Sequence, residues 1–280
     1  MRRRRFPILL ALAVALVPSA TAGSSPLIHQ TGPLPGYGIR LSARSAILVD
    51  GTSGQVLWAK RAHVRRQIAS TTKIMTALVA MSRLGPHSIV TVDRAVRRVP
   101  PITEGLRPGE RVQAWKLFYG LLLYSGNDDA LALAVGAGGT RSRFVALMNE
   151  KAQELGLTRT HFRSPSGLLD RDNYSTAWDM AALTRYALWN PRFRTIVRTK
   201  VKRVRWSKPI VEKIYVNKNH LLGSYVGADG VKTGWTTMAR HCLVASARRH
   251  GVHLIAVILG SDDSYKDVRK LLDFGFATRR

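Results

Sequence analysis

The chain has 280 residues, 45% apolar and 22% charged, which excludes intrinsic disorder as the default and allows one large domain or two interleaved lobes. Forty-four Lys and Arg against seventeen Asp and Glu give a formal charge of +27, which favours polyanionic partners. The single cysteine, Cys242, excludes an internal disulfide and, in the apolar run leading to Leu243-Val244-Ala245, reads as a packed, inert thiol.

Met1-Arg2-Arg3-Arg4-Arg5 forms a positive n-region, and 6–17 is an apolar run too short to span a bilayer comfortably. Ala20-Thr21-Ala22 then supplies a small-x-small cleavage site, predicting a signal peptide over 1–22 and export of the chain from Gly23. In an exported protein nucleic acid is not an expected partner, and the charge points instead to anionic wall polymers or lipid surfaces. The segment 23–42 is rich in Gly, Pro and Ser and reads as a linker or loosely held arm.

Order is expected near Ser45. Residues 46–50 and 55–60 alternate as β segments around Gly51-Thr52-Ser53-Gly54, a hairpin. A helix is predicted from Ser70, with Ile74, Ala77, Leu78 and Met81 at spacings of three and four. Further helices are predicted over 112–124, 128–135, 141–155 and 175–188, the last closed by Pro191. The character then returns to β over 195–206 and 213–217, with a turn at Gly227-Ala228-Asp229-Gly230. A second hairpin joins 241–248 to 253–259 through His250-Gly251, and a helix over 264–274 closes the chain. This order predicts an α+β fold: an antiparallel sheet from both chain ends with flanking helices, and an inserted mostly helical lobe over roughly 82–190. A cleft is expected where the lobes meet. The densest basic stretch, 192–208, contains no acid and reads either as a solvated face or as an anion-binding surface.

Three short segments carry chemistry. Ser70-Thr71-Thr72-Lys73 sets a hydroxyl and an amine at i and i+3 on one helical face, where a lysine of lowered pKa can take the serine proton. Alone it is weak, since about one S-x-x-K is expected by chance, and Ser70 as an N-cap with a solvated Lys73 fits equally. Ser125-Gly126-Asn127 lies at a break between helices, and Lys232-Thr233-Gly234 precedes the second hairpin. The ordered set S-x-x-K, S-x-N, K-T-G is strong where each member is not.

With these segments the chain resembles the serine-type D-alanyl-D-alanine carboxypeptidases, the low-molecular-mass penicillin-binding proteins, over roughly 44–276. The resemblance extends through Thr52-Ser53-Gly54-Gln55-Val56-Leu57, Ala69 to Thr76, Leu106-Arg107-Pro108-Gly109-Glu110, Met148-Asn149, Phe162 with Gly167-Leu168, and Ser175-Thr176-Ala177-Trp178-Asp179-Met180-Ala181. It implies the penicillin-binding protein and β-lactamase-like fold over 43–280, peptidoglycan stem peptides as substrate and β-lactams as covalent inhibitors. It implies no cofactor and no metal. By the same resemblance Ser70 is the nucleophile, Lys73 the general base, and Ser125 the relay of the proton to the leaving amine. Asn127 would hold the substrate amide and position Lys73. Lys232 and Thr233 would receive the terminal carboxylate, Gly234 and Thr236 would line the strand beside it, and the N–H groups of Ser70 and Trp235 would form the oxyanion hole.

Two features depart from the family. Arg240 stands where a small residue, usually glycine, is expected, and the chain is expected to lack the C-terminal β domain and amphipathic anchor of many relatives. Three alternatives remain. A serine β-lactamase needs a water-activating glutamate, and Glu150, Glu154 and Glu212, the only ones between the second and third motifs, lack a fitting context. A DD-endopeptidase would use the same residues on cross-links, and a non-catalytic wall-binding protein would use only the basic surface. His250 and His253 lack partners at metal-ligand spacing, and Asp170-Arg171-Asp172-Asn173 lacks the glycine and distal glutamate of a calcium loop.

Overall fold

The structure, a computed structural model, describes residues 27–32, 34, 38–168, 171–207 and 210–279. The expected leader, and Asp170 of the turn just mentioned, lie outside them. Strands β1 (Ser45–Asp50) and β2 (Val56–Lys60) form the predicted first hairpin. A two-residue β3 (Arg66–Gln67) and a 3-10 turn over Ala69–Thr72 lead into α1 (Lys73–Arg83). The lobe that follows holds β4 (Ile89–Thr91), β5 (Arg111–Gln113), α2 (Ala114–Tyr119), α3 (Asn127–Gly138) and α4 (Arg141–Glu154). After β6 (Tyr174–Ser175) come α5 (Ala177–Trp189), α6 (Pro191–Val197) and the hairpin β7 (Val201–Ser207) with β8 (Ile210–Val216). Strands β9 (Ala228–Thr236), β10 (Arg240–Arg249) and β11 (Val252–Ser261) and helix α7 (Ser264–Thr278) end the chain.

The main sheet has the order β2-β1-β11-β10-β9, antiparallel throughout, so both chain ends build it as the hydrophobic pattern requires. Its central strand β11 is apolar on both faces because both are covered. Ile255, Val257 and Leu259 join the core shared with α1, α5 and the lobe, whereas Leu254, Ala256 and Ile258 pack with Leu271, Leu272 and Phe276 of α7. Edge strand β9 lies against the 3-10 turn at Ser70, which brings two of the three motifs together.

Four expectations are corrected. The helix predicted over 112–124 begins as β5, becomes α2, and ends in a wide turn over Gly120–Tyr124, with the N–H groups of Ser125 and Gly126 both reaching Gly120 O. Pro191 closes α5 but also opens α6, because a proline at the first helical position sacrifices no intrahelical bond and Asn190 caps the next N–H groups. The β character assigned from 195 therefore starts only at Val201. The turn predicted at 227–230 is confined to Gly227, at φ +80°, while Ala228, Asp229 and Gly230 already belong to β9. Asp229 is tolerated in that strand because Ser246 Oγ and Arg248 Nε donate to its carboxylate. In the arm before β1, Ile28 is buried, and His29 exchanges backbone hydrogen bonds with Gly54 O and Val56 N along the edge of β2.

Candidate active site

Ser70 sits in the 3-10 turn and Lys73 at the start of α1, so one turn of chain presents both side chains to one cavity wall. Lys73 Nζ lies 3.0 Å from Ser70 Oγ and 2.7 Å from Asn127 Oδ1, and it also donates to Ser166 O at 3.3 Å. Lys73 is fully buried. Asn127 is fixed at its other end by a 3.0 Å bond from Nδ2 to Pro100 O, and its own N–H donates to Ile102 O at 2.8 Å. Ser125 is buried in the left-handed region at φ +72°, a conformation a non-glycine residue holds only when its surroundings impose it. The wide turn ahead of it does so, and it aims the S-x-N segment at the serine. The opposite wall approaches as closely: Gly167, at φ +77°, leaves no room for a Cβ against Ala69 O and Thr72 Oγ1. Asn173 Nδ2 donates to Thr72 Oγ1 at 2.9 Å.

Lys232, Thr233 and Gly234 lie on β9. A Cβ on Gly234 would stand 2.9 Å from Ser70 N, so glycine is what lets the strand backbone run past Ser70. Being an edge strand, β9 turns alternate N–H and C=O groups away from β10 and toward the cavity. Lys232 is 1% exposed and donates to Thr233 O. Thr233, Gly234, Trp235 and Thr236 line the cavity, with the Thr236 hydroxyl oxygen accepting from Ala239 N and Trp235 exposed at the rim.

The cavity encloses about 580 Å³ and is lined by Ser70, Ser125 and Asn127 as well as by Lys218, Arg171 and Tyr265. Burial lowers the Lys73 amine well below its ordinary value, and the charge of Lys232 lowers it further, against smaller opposite effects of Asp129 and Asp128. Burial, then Lys218, brings Lys232 down to about 7. Lys73 can therefore be neutral at moderate pH, as a base must be.

All nine residues singled out in the sequence fall at or directly beneath this one cavity. Lys218 was not among them; it is a lone lysine after β8, held by the bond from its N–H to Leu123 O, with its ammonium 4.6 Å from the centroid of the Tyr124 ring. Its signal is the pair of flanking asparagines, Asn217 and Asn219, whose side chains tie down the turn. Cys242 is buried with its pKa pushed up to about 12 by burial, an inert thiol. His253 is a buried residue beside Ser246 Oγ at 2.9 Å, lowered to about 4 chiefly by burial.

The family profile described as D-alanyl-D-alanine carboxypeptidase matches residues 31–263. A D-alanyl-D-alanine carboxypeptidase of Streptomyces sp. (strain K15) is 36% identical, covering 99% of this chain and 100% of that protein. The D-alanyl-D-alanine carboxypeptidase DacF of Bacillus subtilis is also 36% identical over 84% of this chain, which spans only 62% of that relative. Among solved structures, a variant of the Streptomyces K15 DD-transpeptidase superposes with a TM-score of 0.81 at 35% identity, covering 85% of this chain and 99% of that one. A D-alanyl-D-alanine carboxypeptidase from Mycobacterium tuberculosis gives 0.81 at 35% identity, over 88% and 96%.

Proposed function

The chain belongs to the D-alanyl-D-alanine carboxypeptidase family, and we propose that it releases the terminal D-alanine of peptidoglycan stem peptides through an acyl-enzyme on Ser70. The observation that carries this reading is the buried Lys73 amine 3.0 Å from Ser70 Oγ, with a second buried amine lowering its proton affinity. Neutral Lys73 takes the Ser70 proton as Oγ attacks the carbonyl between the two D-alanines. The resulting oxyanion is received by the N–H groups of Ser70 and Trp235. Asn127 holds the substrate amide while keeping Lys73 in line. The proton passes through the Ser125 hydroxyl to the leaving nitrogen, the C–N bond breaks, and D-alanine departs. Water, losing its proton to Lys73, then attacks the acyl-Ser70 ester and restores the serine. Thr233 and Lys232, with Lys218 beside them, suit a substrate ending in a carboxylate. A β-lactam offers the same carboxylate and carbonyl, but its leaving nitrogen stays tethered, so the ester persists.

Mass spectrometry after treatment with benzylpenicillin tests the reading. One adduct is expected on the peptide carrying Ser70, absent in Ser70→Ala and formed at least ~100-fold more slowly in Lys73→Ala. An adduct elsewhere, or none on folded protein, overturns it. The Streptomyces neighbour is a DD-transpeptidase variant, which favours a second reading in which an amine replaces water at the same ester. Free D-alanine from a pentapeptide, cleavage of cross-linked dimers and capture by added glycylglycine separate carboxypeptidase, endopeptidase and transpeptidase. Export through the 1–22 leader, a catalytic unit over 43–280, and contact of the basic surface with anionic wall polymer or lipid complete the proposal. No helix among the described residues is long and apolar enough to cross a membrane.

A further inference from the structure

Directly beneath the S-x-N segment lies a group of acids that the acyl-transfer chemistry does not use. Asp128 and Asp129 open α3, Glu104 comes from the loop before β5, and Lys213 and Tyr215 reach in from β8. Their circumstances differ. Asp128 accepts four backbone N–H groups, from Glu104, Gly105, Leu106 and Asp129, at 2.9–3.1 Å, which is the environment of a carboxylate anion. Glu104 Oε2 accepts from Tyr215 OH and lies 3.5 Å from Lys213 Nζ, so Glu104 is also supported as an anion. Asp129 has no such support. It is fully buried, neither of its oxygens meets a donor among the described residues, and Glu104 Oε1 is equally unmatched.

Two buried carboxyl groups whose facing oxygens both lack a donor are satisfied together by one proton between them. Asp129 is the member to hold it, because an ionised Asp129 would stand beside two anions with no partner of its own. We propose that Asp129 is a neutral carboxylic acid donating to Glu104 Oε1, and that this pair is a positioning element for Ser125 and Asn127. Burial, then the charge of Glu104, acts in the same sense, holding the Asp129 carboxyl well above the usual carboxylate range.

The packing shows how such a pair reaches the site. A Cβ on Gly120 or on Gly126 would overlap the Asp129 carboxyl, so both ends of the turn that presents Ser125 rest on this acid. The Glu104 loop is the one whose Pro100 and Ile102 carbonyls hold Asn127. A bond between Asp129 and Glu104 therefore ties the floor of the S-x-N turn to the loop that orients Asn127. Charge gives a second consequence. An anionic Asp129 would favour protonated Lys73, whereas the retained proton leaves the base free to be neutral. The groups facing Asp129 are Asp128 on its own helix, Glu104 from the loop, Lys213 and Tyr215 from β8, and Lys73 from α1.

Infrared difference spectra of the whole protein at neutral pH test the proton directly. The carbonyl band of a protonated carboxylic acid is expected in the wild type and is removed in Asp129→Asn. Acylation by benzylpenicillin tests the role: Asp129→Ala is expected to react roughly tenfold more slowly or worse, with initial binding unchanged. Asn, which keeps a donor for Glu104, restores most of that rate and leaves the acidic limb of the pH profile in place. No acid band, an Asp129→Ala rate equal to wild type, or an acidic limb displaced to lower pH in Asp129→Asn would each overturn the proposal. Should the alanine variant fail to fold, the band and the asparagine profile decide alone. The infrared result needs no substrate, so it stands apart from any failure of the acyl-transfer reading.

Discussion

A lysine serves as a base only when it is uncharged, and a cation for a carboxylate only when it is charged. Lys73 and Lys232 occupy one buried pocket and are assigned these opposite duties. Burial lowers both, and each also feels a neighbouring cation: Lys73 that of Lys232, and Lys232 that of Lys218. The rate should fall in acid as Lys73 takes up a proton, and in base as Lys232 loses its own near about 7 in the free enzyme. Lys218, half-buried at the cavity wall, can be removed without disturbing either side chain. Taking away its charge makes both buried amines easier to protonate, so both limbs of kcat/KM should move to higher pH in Lys218→Met. KM should also rise about fivefold, the ~1 kcal/mol of a partly solvated ion pair. A profile that stays still, or moves down, removes Lys218 from the account. The duties of Lys73 and Lys232 were implied by the family resemblance, but the part of Lys218 was not legible, because its two flanking asparagines signal a turn and carry no diagnostic spacing. Ser70 and Lys73 were legible, because their i, i+3 spacing, weak alone, is followed in order by the S-x-N and K-T-G segments.

Among the elements, the bend between β9 and β10 decides how the K-T-G strand ends. Arg240, the residue out of place by family pattern, sits there at φ +57°, which explains the expectation of glycine. The left-handed conformation costs a residue with a Cβ about 1–2 kcal/mol. Its ion pair with Asp262 offsets little, since the side chains are 43% and 57% exposed and such pairs contribute about 0–1 kcal/mol. Arg240→Gly should therefore match or exceed the wild type in stability by up to about 1 kcal/mol, while Arg240→Ala, keeping the strain and losing the pair, should fall below both. Urea unfolding gives the order, and an alanine variant as stable as the glycine variant would refute the strain. Elements defined by their own periodicity, such as β1, β11 and α4, were readable. The wide turn before Ser125 was not, because apolar spacing is the same in a helix and in its last, loosened turn. The division at Pro191 was missed for a related reason: a proline that ends one helix is also the preferred first residue of another.

Across the whole molecule, the fold followed from where β and helical patterns lie in the chain, because strands at both ends have only each other to pair with. Surface charge is less readable, since sequence does not distinguish a cation used internally from one facing solvent. The basic stretch from 192 divides in this way. Arg192 donates to the Met81 and Leu84 carbonyls, Lys202 lies over the Trp115 and Tyr119 rings, and Arg203 pairs with Glu212. Arg194, Arg198, Lys200 and Arg205 remain exposed, and no acid pairs with them among the described residues. If the +27 chain uses these to hold a polyanion, binding to polyphosphate or to phosphatidylglycerol vesicles should weaken at least tenfold between about 0.05 and 0.2 M salt, as released counterions require. The combined change Arg194→Ser, Arg198→Ser and Arg205→Ser should lower retention roughly tenfold at fixed salt. Acylation of Ser70 should be unaffected, because none of the three lines the cavity. Preference for polyphosphate would assign the surface to wall polymer, and preference for vesicles to lipid. Retention that ignores salt, or that survives the triple change intact, would leave these arginines as a solvated face and nothing more.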